Sequence, residues 1–280
     1  MPRSYLKAAL LFPLLSLMLV PAALAGSIGP FLVASTTPTD GITGYAFDPA
    51  SGSLYTSTDF GQTIIGPGGS FSVSTVGSLL DMAFAQGYIW AGEGNAAGGV
   101  SLARIDPNTG AVMNEYDLGS ETLGGNIIPF MASGVAWDGA GLWVGNNAYS
   151  GDELAAGIYG TSIERFTWDS GLDALTLSGS AFTPWPDTFG VLGAVVTTGR
   201  TPGGLAWNTA TNRLMIGTDS GDIFSYNPGN PSGGVTFYAN TGDGGFVQGL
   251  EEEVPEPASF LLLGPALAGC LWVYRRRSAR

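Results

Sequence analysis

The chain has 280 residues, a formal net charge of −13, no histidine and a single cysteine, Cys270. This composition excludes Ser-His-Asp triads and His-ligated zinc, and upstream of Cys270 it excludes disulfides and cysteine nucleophiles. The body of the chain, residues 26–253, holds four arginines, no lysine and 22 of the 23 acidic residues, so its net charge is −18. Such a body repels nucleic acid phosphates and anionic lipids, and the sequence therefore predicts no nucleic acid partner.

The first 25 residues have the organisation of a secretory signal peptide. Arg3 and Lys7 form a positive region, an apolar run follows, and Ala23-Leu24-Ala25 fits the small-x-small pattern at which signal peptidase cleaves. The sequence predicts cleavage after Ala25, with Ala23 and Ala25 as the recognised residues. The alternative is an N-terminal anchor that is kept, for which the apolar run is short.

Residues 26–250 form the body, in which short alternating runs are separated by glycine and proline turns, a pattern typical of all-β folds. An alanine followed by an aromatic residue recurs four times, each time before a polar turn and a second β run. These pairs are Ala46-Phe47, Ala83-Phe84, Ala136-Trp137 and Ala206-Trp207. Repeats of this length predict a β-propeller-like array of about five four-stranded antiparallel blades.

In a propeller the alanine-aromatic strand lies nearest the axis, where small residues fit, and we expect its aromatic side chain to pack between blades. Third strands are expected at residues 100–106, 162–168 and 222–226, and fourth strands at 111–117 and 235–239. The segment 245–250 is expected to pair with residues 28–34 and so join the two ends. The 70-residue interval between the last two pairs predicts a degenerate blade near residues 172–198 or a long loop. The rival architectures are an open array of repeats and a β-sandwich.

The C-terminal part divides into three pieces. Residues 251–257 form an acidic, proline-containing linker, residues 258–274 carry no charge, and residues 275–280 are basic. Seventeen uncharged residues are just long enough for a transmembrane helix. Arg275, Arg276 and Arg277 place its C-terminal end on the cytoplasmic side, which leaves the body outside and agrees with the signal peptide.

Within this tail, Pro255-Glu256-Pro257, the uncharged run and the arginine cluster follow one another in order. This arrangement resembles the PEP-CTERM sorting domain over about 27 residues. The resemblance implies a Gram-negative, exopolysaccharide-producing bacterium, general secretion, and processing by an exosortase that recognises Pro255, Glu256 and Pro257. It also implies a destination at the cell surface or in the extracellular matrix. The alternative is an ordinary membrane anchor with a proline-rich hinge.

Two groups of polar residues are candidates for a binding site. Asp219, Asp222 and Asp243 lie in Asp/Gly turns whose oxygens suit calcium, although hairpin turns explain the same residues. No cofactor other than calcium is expected. Polar residues that follow the second strands are candidates for the mouth of the ring, or are simply strand-end residues; they are Asp59, Glu93, Asn95, Asn146, Asn147 and Asp219.

Trp185 lies outside the repeat, in Thr-Pro-Trp-Pro, and is the tryptophan we single out as a glycan contact, against the alternative of an aromatic that anchors a loop. Trp137 and Trp207 occupy the repeat position and are expected in the core. Together these features predict a non-enzymatic binding or structural module of the polysaccharide or biofilm matrix, with exopolysaccharide or matrix proteins as its partners. The alternative is a propeller-type lactonase or lyase that uses carboxylate-bound calcium.

Overall fold

The computed structural model describes residues 26–35, 42–58, 62–94, 100–123, 126–146, 162–178, 202–242 and 244–252. The predicted signal peptide with Ala23 and Ala25, the sorting residues Pro255, Glu256 and Pro257, and the predicted transmembrane helix with Arg275, Arg276 and Arg277 lie outside these ranges. Within the ranges, no helix has the length and apolar character needed to cross a membrane.

Four four-stranded antiparallel sheets form most of the described body. The first contains β3 (Ile42–Asp48), β4 (Ser53–Thr58), β5 (Thr63–Gly66) and β6 (Gly69–Ser72). The second contains β7 (Ser78–Ala85), β8 (Tyr88–Gly94), β9 (Val100–Ile105) and β10 (Val112–Asp117). The third contains β13 (Ala132–Trp137), β14 (Leu142–Asn146), β15 (Ile163–Asp169) and β16 (Ala174–Leu177). The fourth contains β17 (Pro202–Asn208), β18 (Arg213–Thr218), β19 (Asp222–Tyr226) and β20 (Val235–Asn240).

A three-stranded sheet joins the two ends of the body. Its strands are β1 (Gly26–Ile28), β2 (Phe31–Ser35) and β21 (Val247–Glu252). β2 and β21 pair antiparallel, with Phe31 opposite Glu252, which confirms the expected pairing of the ends. The remaining described elements are a hairpin of β11 (Ser120–Leu123) and β12 (Asn126–Pro129) and a short 3-10 turn, Pro231–Gly233.

The first strand of each four-stranded sheet and β21 surround a common axis. They contact one another in the cyclic order β3, β7, β13, β17, β21 and back to β3. The body is therefore all-β and propeller-like, as the repeats predict. β13 contacts β17 directly, so no described sheet separates the third from the fourth. Of the interval in which the sequence predicts a degenerate blade or a long loop, β16 is the outer strand of the third sheet, and residues 179–198 lie outside the described residues.

Aromatic side chains of the repeat pack between neighbouring sheets, as expected. The Phe84 ring stacks on Tyr55 of the preceding sheet, with 6.1 Å between the ring centroids. The Trp207 ring stacks on Trp143 in the same way, with 6.4 Å between centroids. Burying this aromatic surface, together with the aliphatic side chains around it, stabilises the contact between sheets by about 25 cal/mol per Å² of apolar area removed from water.

A second contact between sheets is polar and centres on Asp173. Its carboxylate accepts hydrogen bonds from the Tyr116 hydroxyl (2.6 Å), the Trp168 indole N–H (3.1 Å) and the Arg104 guanidinium (2.9 Å). The guanidinium of Arg104 also lies between the rings of Tyr88 and Trp168, 4.6 Å from each centroid. These bonds tie the second sheet to the third, and the interaction with Asp173, added to burial, raises the pKa of Tyr116 to about 12.

Candidate functional site at the axis of the ring

The inner strands share one irregularity. Each of β3, β7, β13 and β17 shifts register against its second strand near its start, and β21 shifts against β2 in the same part of the strand. Aligning the strands by these bulges places one residue of each at the same position, two residues before the alanine of the repeat or, in β21, before Glu251. These residues are Gly44, Asp81, Gly134, Gly204 and Gly249.

Four of the five equivalent positions are glycine because the backbones approach closely at the axis. A Cβ atom on Gly204 would lie 2.6 Å from the carbonyl carbon of Gly249, and one on Gly249 would lie 2.8 Å from the Cα of Gly44. One on Gly44 would lie 2.7 Å from the Cα of Asp81. The inner strands therefore meet backbone to backbone at this level, and Asp81 supplies the only side chain among the five positions.

The carboxylate of Asp81 accepts hydrogen bonds from the backbones of three other inner strands. Its Oδ2 accepts the N–H of Leu205 at 2.8 Å and that of Val135 at 3.1 Å, and its Oδ1 accepts the N–H of Leu250 at 3.4 Å. Each donor is the residue after one of the axial glycines. One side chain thus accepts backbone N–H groups from three neighbouring inner strands, and it links β7 to β13, β17 and β21.

Asp81 is completely buried, and burial raises its pKa well above the usual range even though the N–H groups of Leu205 and Val135 lower it. The negative charge of Glu251 raises it further. The three described arginines bind elsewhere, Arg104 to Asp173, Arg165 to Asp138 and Arg213 to Ser225. Asp81 is therefore held by backbone dipoles and serves as a structural hub.

Beyond this hub the axis opens into a cavity of about 130 Å³, to which all five inner strands contribute. We call it the axial cavity. Its wall consists of the alanine and aromatic positions of the repeat and the residues next to them. The lining residues are Phe47, Pro49, Ala83, Phe84, Ala136, Trp137, Leu205, Ala206, Trp207, Thr209, Glu251 and Glu252.

Glu251 and Glu252 stand in β21 where the other inner strands have alanine and an aromatic residue. The two oxygens of Glu252 accept the N–H of Thr209 at 3.2 and 3.1 Å. Burial raises the pKa of Glu251 to about 8, and the charge of Glu252 adds to this, while the N–H groups of Glu252 and Phe47 act against it. Near neutral pH this carboxyl is poised between its acidic and basic forms.

This placement corrects the boundary drawn from the sequence, in which residues 251–257 form a solvated linker. β21 continues to Glu252, and both glutamates are partly buried. Their backbones pair with Leu32 and Phe31 of β2, and that pairing holds the strand in the sheet despite its charge.

Glu93 and Asn146 are strand-end residues inside the second and third sheets. Glu93 Oε2 accepts the N–H of Gly77 at 2.6 Å, and Asn146 Oδ1 accepts the N–H of Met131 at 3.0 Å. Each acceptor thus fixes the backbone just before an inner strand. Both are completely buried. The structure brings neither to the axial cavity, and burial raises the pKa of Glu93 to about 7.

Asp222, a candidate calcium residue at the start of β19, accepts hydrogen bonds from two polar side chains, one in the preceding turn and one on β20. Asp222 Oδ1 accepts the amide of Asn240 at 2.7 Å and its Oδ2 accepts the Ser220 hydroxyl at 3.3 Å. Across the described ranges, no three acidic, histidine or cysteine side chains are grouped as metal ligands. Asp219 lies in the same turn, between β18 and β19. Asp59, Asn95, Asn147, Trp185 and Asp243 lie outside the described residues.

Sequence reasoning missed the axial cavity for an identifiable reason. It placed Trp137 and Trp207 in the core, and they do pack against it, but they also line the cavity. The sequence did not identify Glu251 as a lining residue, because β21 lacks the alanine-aromatic pair. The available signal was the short likeness of Gly249-Leu250 to Gly204-Leu205, which aligns Glu251 with Ala206.

Comparison with known proteins gives information on the C-terminal tail and little on the body. No curated protein matches the chain. The solved structures that match include the Neurospora crassa Pan2 WD40 domain, at 11% identity and a TM-score of 0.40 over 71% of this chain and 53% of that one, so the chain spans about half of that structure. They also include the gluconolactonase XC5397 from Xanthomonas campestris, at 13% identity and a TM-score of 0.43 over 78% of this chain and 81% of that one.

The tail gives a positive match. Residues 253–277 match the model of the PEP-CTERM protein-sorting motif, which begins directly after the last residue of β21. The C-terminal segment of this chain is therefore a PEP-CTERM protein-sorting motif, as its sequence predicts.

Proposed function

We propose that the protein is an exported binding module, processed by an exosortase at Pro255, Glu256 and Pro257 and delivered to the surface or extracellular matrix of a Gram-negative bacterium. There it binds matrix polysaccharide without chemical turnover. The sorting motif at residues 253–277 supports the destination. In this proposal the three-stranded sheet counts as a fifth blade, so that five blades enclose one binding site on the axis.

The observation that carries the binding role is the axial cavity. Four aromatic side chains, Phe47, Phe84, Trp137 and Trp207, share a wall with two carboxylates, Glu251 and Glu252. Aromatic surfaces offer apolar contact to a ring or an alkyl group, while carboxylate oxygens accept hydrogen bonds from hydroxyl or amino groups. Apolar walls with a few converging polar groups are typical of small-ligand sites.

The test uses the protein purified as the producing cell exports it, together with exopolysaccharide isolated from the same culture. Tryptophan fluorescence follows binding, because Trp137 and Trp207 line the cavity. We expect a saturable change in fluorescence and no release of reducing ends or other product over hours. The absence of any binding to the isolated polysaccharide would overturn the proposal, and steady product release would replace it with an enzymatic function.

One observation favours an enzyme as the second candidate. Glu251 has a pKa near 8 inside a cavity, which suits a general acid or base at neutral pH. If the protein turns over a matrix component, Glu251→Gln must abolish product release while binding persists. An active Glu251→Gln variant would rule out this residue as the acid or base.

A further inference from the structure

We infer that the axial cavity binds a cationic ammonium group, so that the ligand of this site is an amine-bearing molecule rather than a neutral or acidic sugar. The inference rests on the proposed function and names the ligand class of the same site. Three features of the cavity support it: its charge, its aromatic wall and its size.

The carboxyl groups of Glu251 and Glu252 are the only ionisable groups in the cavity wall, so any charge that the wall carries is negative. The lining contains no arginine or lysine. The whole body carries a net charge of −18 over residues 26–253, so its long-range field also attracts cations and repels anions. The carboxyl groups of the wall and the field of the body both repel an acidic ligand, whereas both attract a cation.

The aromatic wall suits an organic cation in particular. The faces of Phe and Trp rings carry negative partial charge, and a cation within about 6 Å of a ring centroid gains about 0.5–2 kcal/mol. Quaternary ammonium groups are commonly held in cages of several aromatic side chains. Phe47, Phe84, Trp137 and Trp207 line the cavity from four different inner strands, and Glu251 lines it from the fifth. One face of the Phe84 ring and one of the Trp207 ring are covered by a ring of the preceding sheet.

The size of the cavity points to a head group rather than a whole ligand. Its volume is about 130 Å³, whereas sites for drug-sized molecules measure about 300–1,000 Å³. A cavity of about 150 Å³ is known to hold one benzene molecule. The axial cavity therefore accommodates a trimethylammonium group or the amino end of one sugar unit, while the rest of the ligand stays outside.

The state of Glu251 couples this binding to pH. Its carboxyl has a pKa of about 8, so it is mostly protonated at pH 7, and a bound cation favours the ionised form and releases the proton. Glu252 on the same strand adds negative charge. The strands packed on β21 contribute further ionisable side chains, namely Tyr45, Asp48, Asp81 and Arg213. The residues of β2, β13 and β17 contribute none.

The primary probe is choline, compared with 3,3-dimethylbutan-1-ol, which has the same shape without the charge. Because choline keeps its charge at every pH, any pH dependence of its affinity belongs to the protein. We expect choline to bind at least ten times more tightly than the alcohol at pH 8. We expect its affinity to fall by up to about tenfold per pH unit below pH 8. Equal affinities for the two compounds would overturn the inference.

Two variants test the role of the carboxylate. Glu251→Gln should remove most of the preference for choline and all of its pH dependence, whereas Glu115→Gln, which changes a carboxylate outside the cavity wall, should leave both unchanged. An undiminished preference in Glu251→Gln would contradict the inference. If Glu251→Gln fails to fold, the pH dependence in the wild-type protein decides, because affinity that is flat between pH 6 and 8 is incompatible with the coupling.

A final pair of ligands connects the site to polysaccharide. Glucosamine oligomers with free amines should bind more tightly than N-acetylated oligomers of the same length, in 150 mM salt to suppress nonspecific attraction of polycations. Equal binding of both oligomers would leave the polysaccharide-binding function in place and refute the ammonium site. Binding of choline without binding of any oligomer would support the ammonium site and refute the polysaccharide-binding function.

Discussion

Replacement of Glu93 by glutamine tests the electrostatics of the fold. Glu93 is completely buried; its Oε2 accepts the N–H of Gly77 at 2.6 Å, and its Oε1 has no hydrogen-bond partner. Glutamine has nearly the same shape, its carbonyl oxygen can accept the same N–H, and it removes the buried charge. The variant therefore changes ionisation with little change in packing.

The magnitude follows from the pKa. Burial raises the pKa of Glu93 from 4.5 to about 7, and at about 1.4 kcal/mol per pH unit this corresponds to about 3 kcal/mol. Below pH 4.5 the group is neutral in both the folded and the unfolded protein, and the stability is fully present. As the pH rises toward 7, the unfolded chain loses this proton first, so the free energy of unfolding of the wild-type protein falls by about 3 kcal/mol.

The assay is denaturant unfolding of wild type and Glu93→Gln at pH values from 4 to 8. We expect equal stability near pH 4, and at pH 8 we expect the variant to be more stable by about 3 kcal/mol. General repulsion in this acidic protein affects both proteins alike, so their difference isolates Glu93. Glu115→Gln removes a neighbouring carboxylate, whose Oε1 accepts the N–H of Val76, and should keep most of the pH dependence. A Glu93→Gln protein that is less stable than wild type at pH 8 would refute the reasoning.

Three further substitutions test the axis and the contact between sheets, each by denaturant unfolding. Asp81→Asn turns one oxygen acceptor into a donor that faces at least one buried N–H group and should cost about 1–3 kcal/mol, so an unchanged free energy of unfolding would contradict its role as hub. Gly204→Ala forces a methyl group to within 2.6 Å of the Gly249 backbone and should cost several times more than Gly68→Ala, around which a Cβ meets nothing within 4 Å. Asp173→Ala removes the shared acceptor between the second and third sheets and should cost about 1–3 kcal/mol; a loss below about 0.5 kcal/mol would show that apolar packing holds the two sheets without it.

The sequence predicted the features that the ring repeats and missed those that occur once. The pairs Ala46-Phe47, Ala83-Phe84, Ala136-Trp137 and Ala206-Trp207 are visible because every blade meets the same crowding at the axis and the same interface with its neighbour. The pairing of β2 with β21 was also predictable, because two unpaired β segments remained at the ends.

Asp81 and Glu251 could not be found from the repeat, because each differs from the residues at the equivalent position of the other inner strands. Asp81 replaces a glycine, and its role depends on register shifts that bring three backbone N–H groups from distant strands to one point. Glu251 replaces an alanine in a strand that lacks the aromatic pair. Sequence periodicity reports what neighbouring blades share, whereas a single site on the axis arises from what one blade does differently.

The position of Glu252 limits the distance between the axial cavity and the sorting motif. It lines the axial cavity and is also the last residue of β21, three residues before Pro255. An extended chain covers at most about 3.6 Å per residue, so the processing motif begins within about 11 Å of the rim of the cavity. If the proposed processing joins the protein to a carrier at that motif, the carrier is held near the cavity at a high effective concentration.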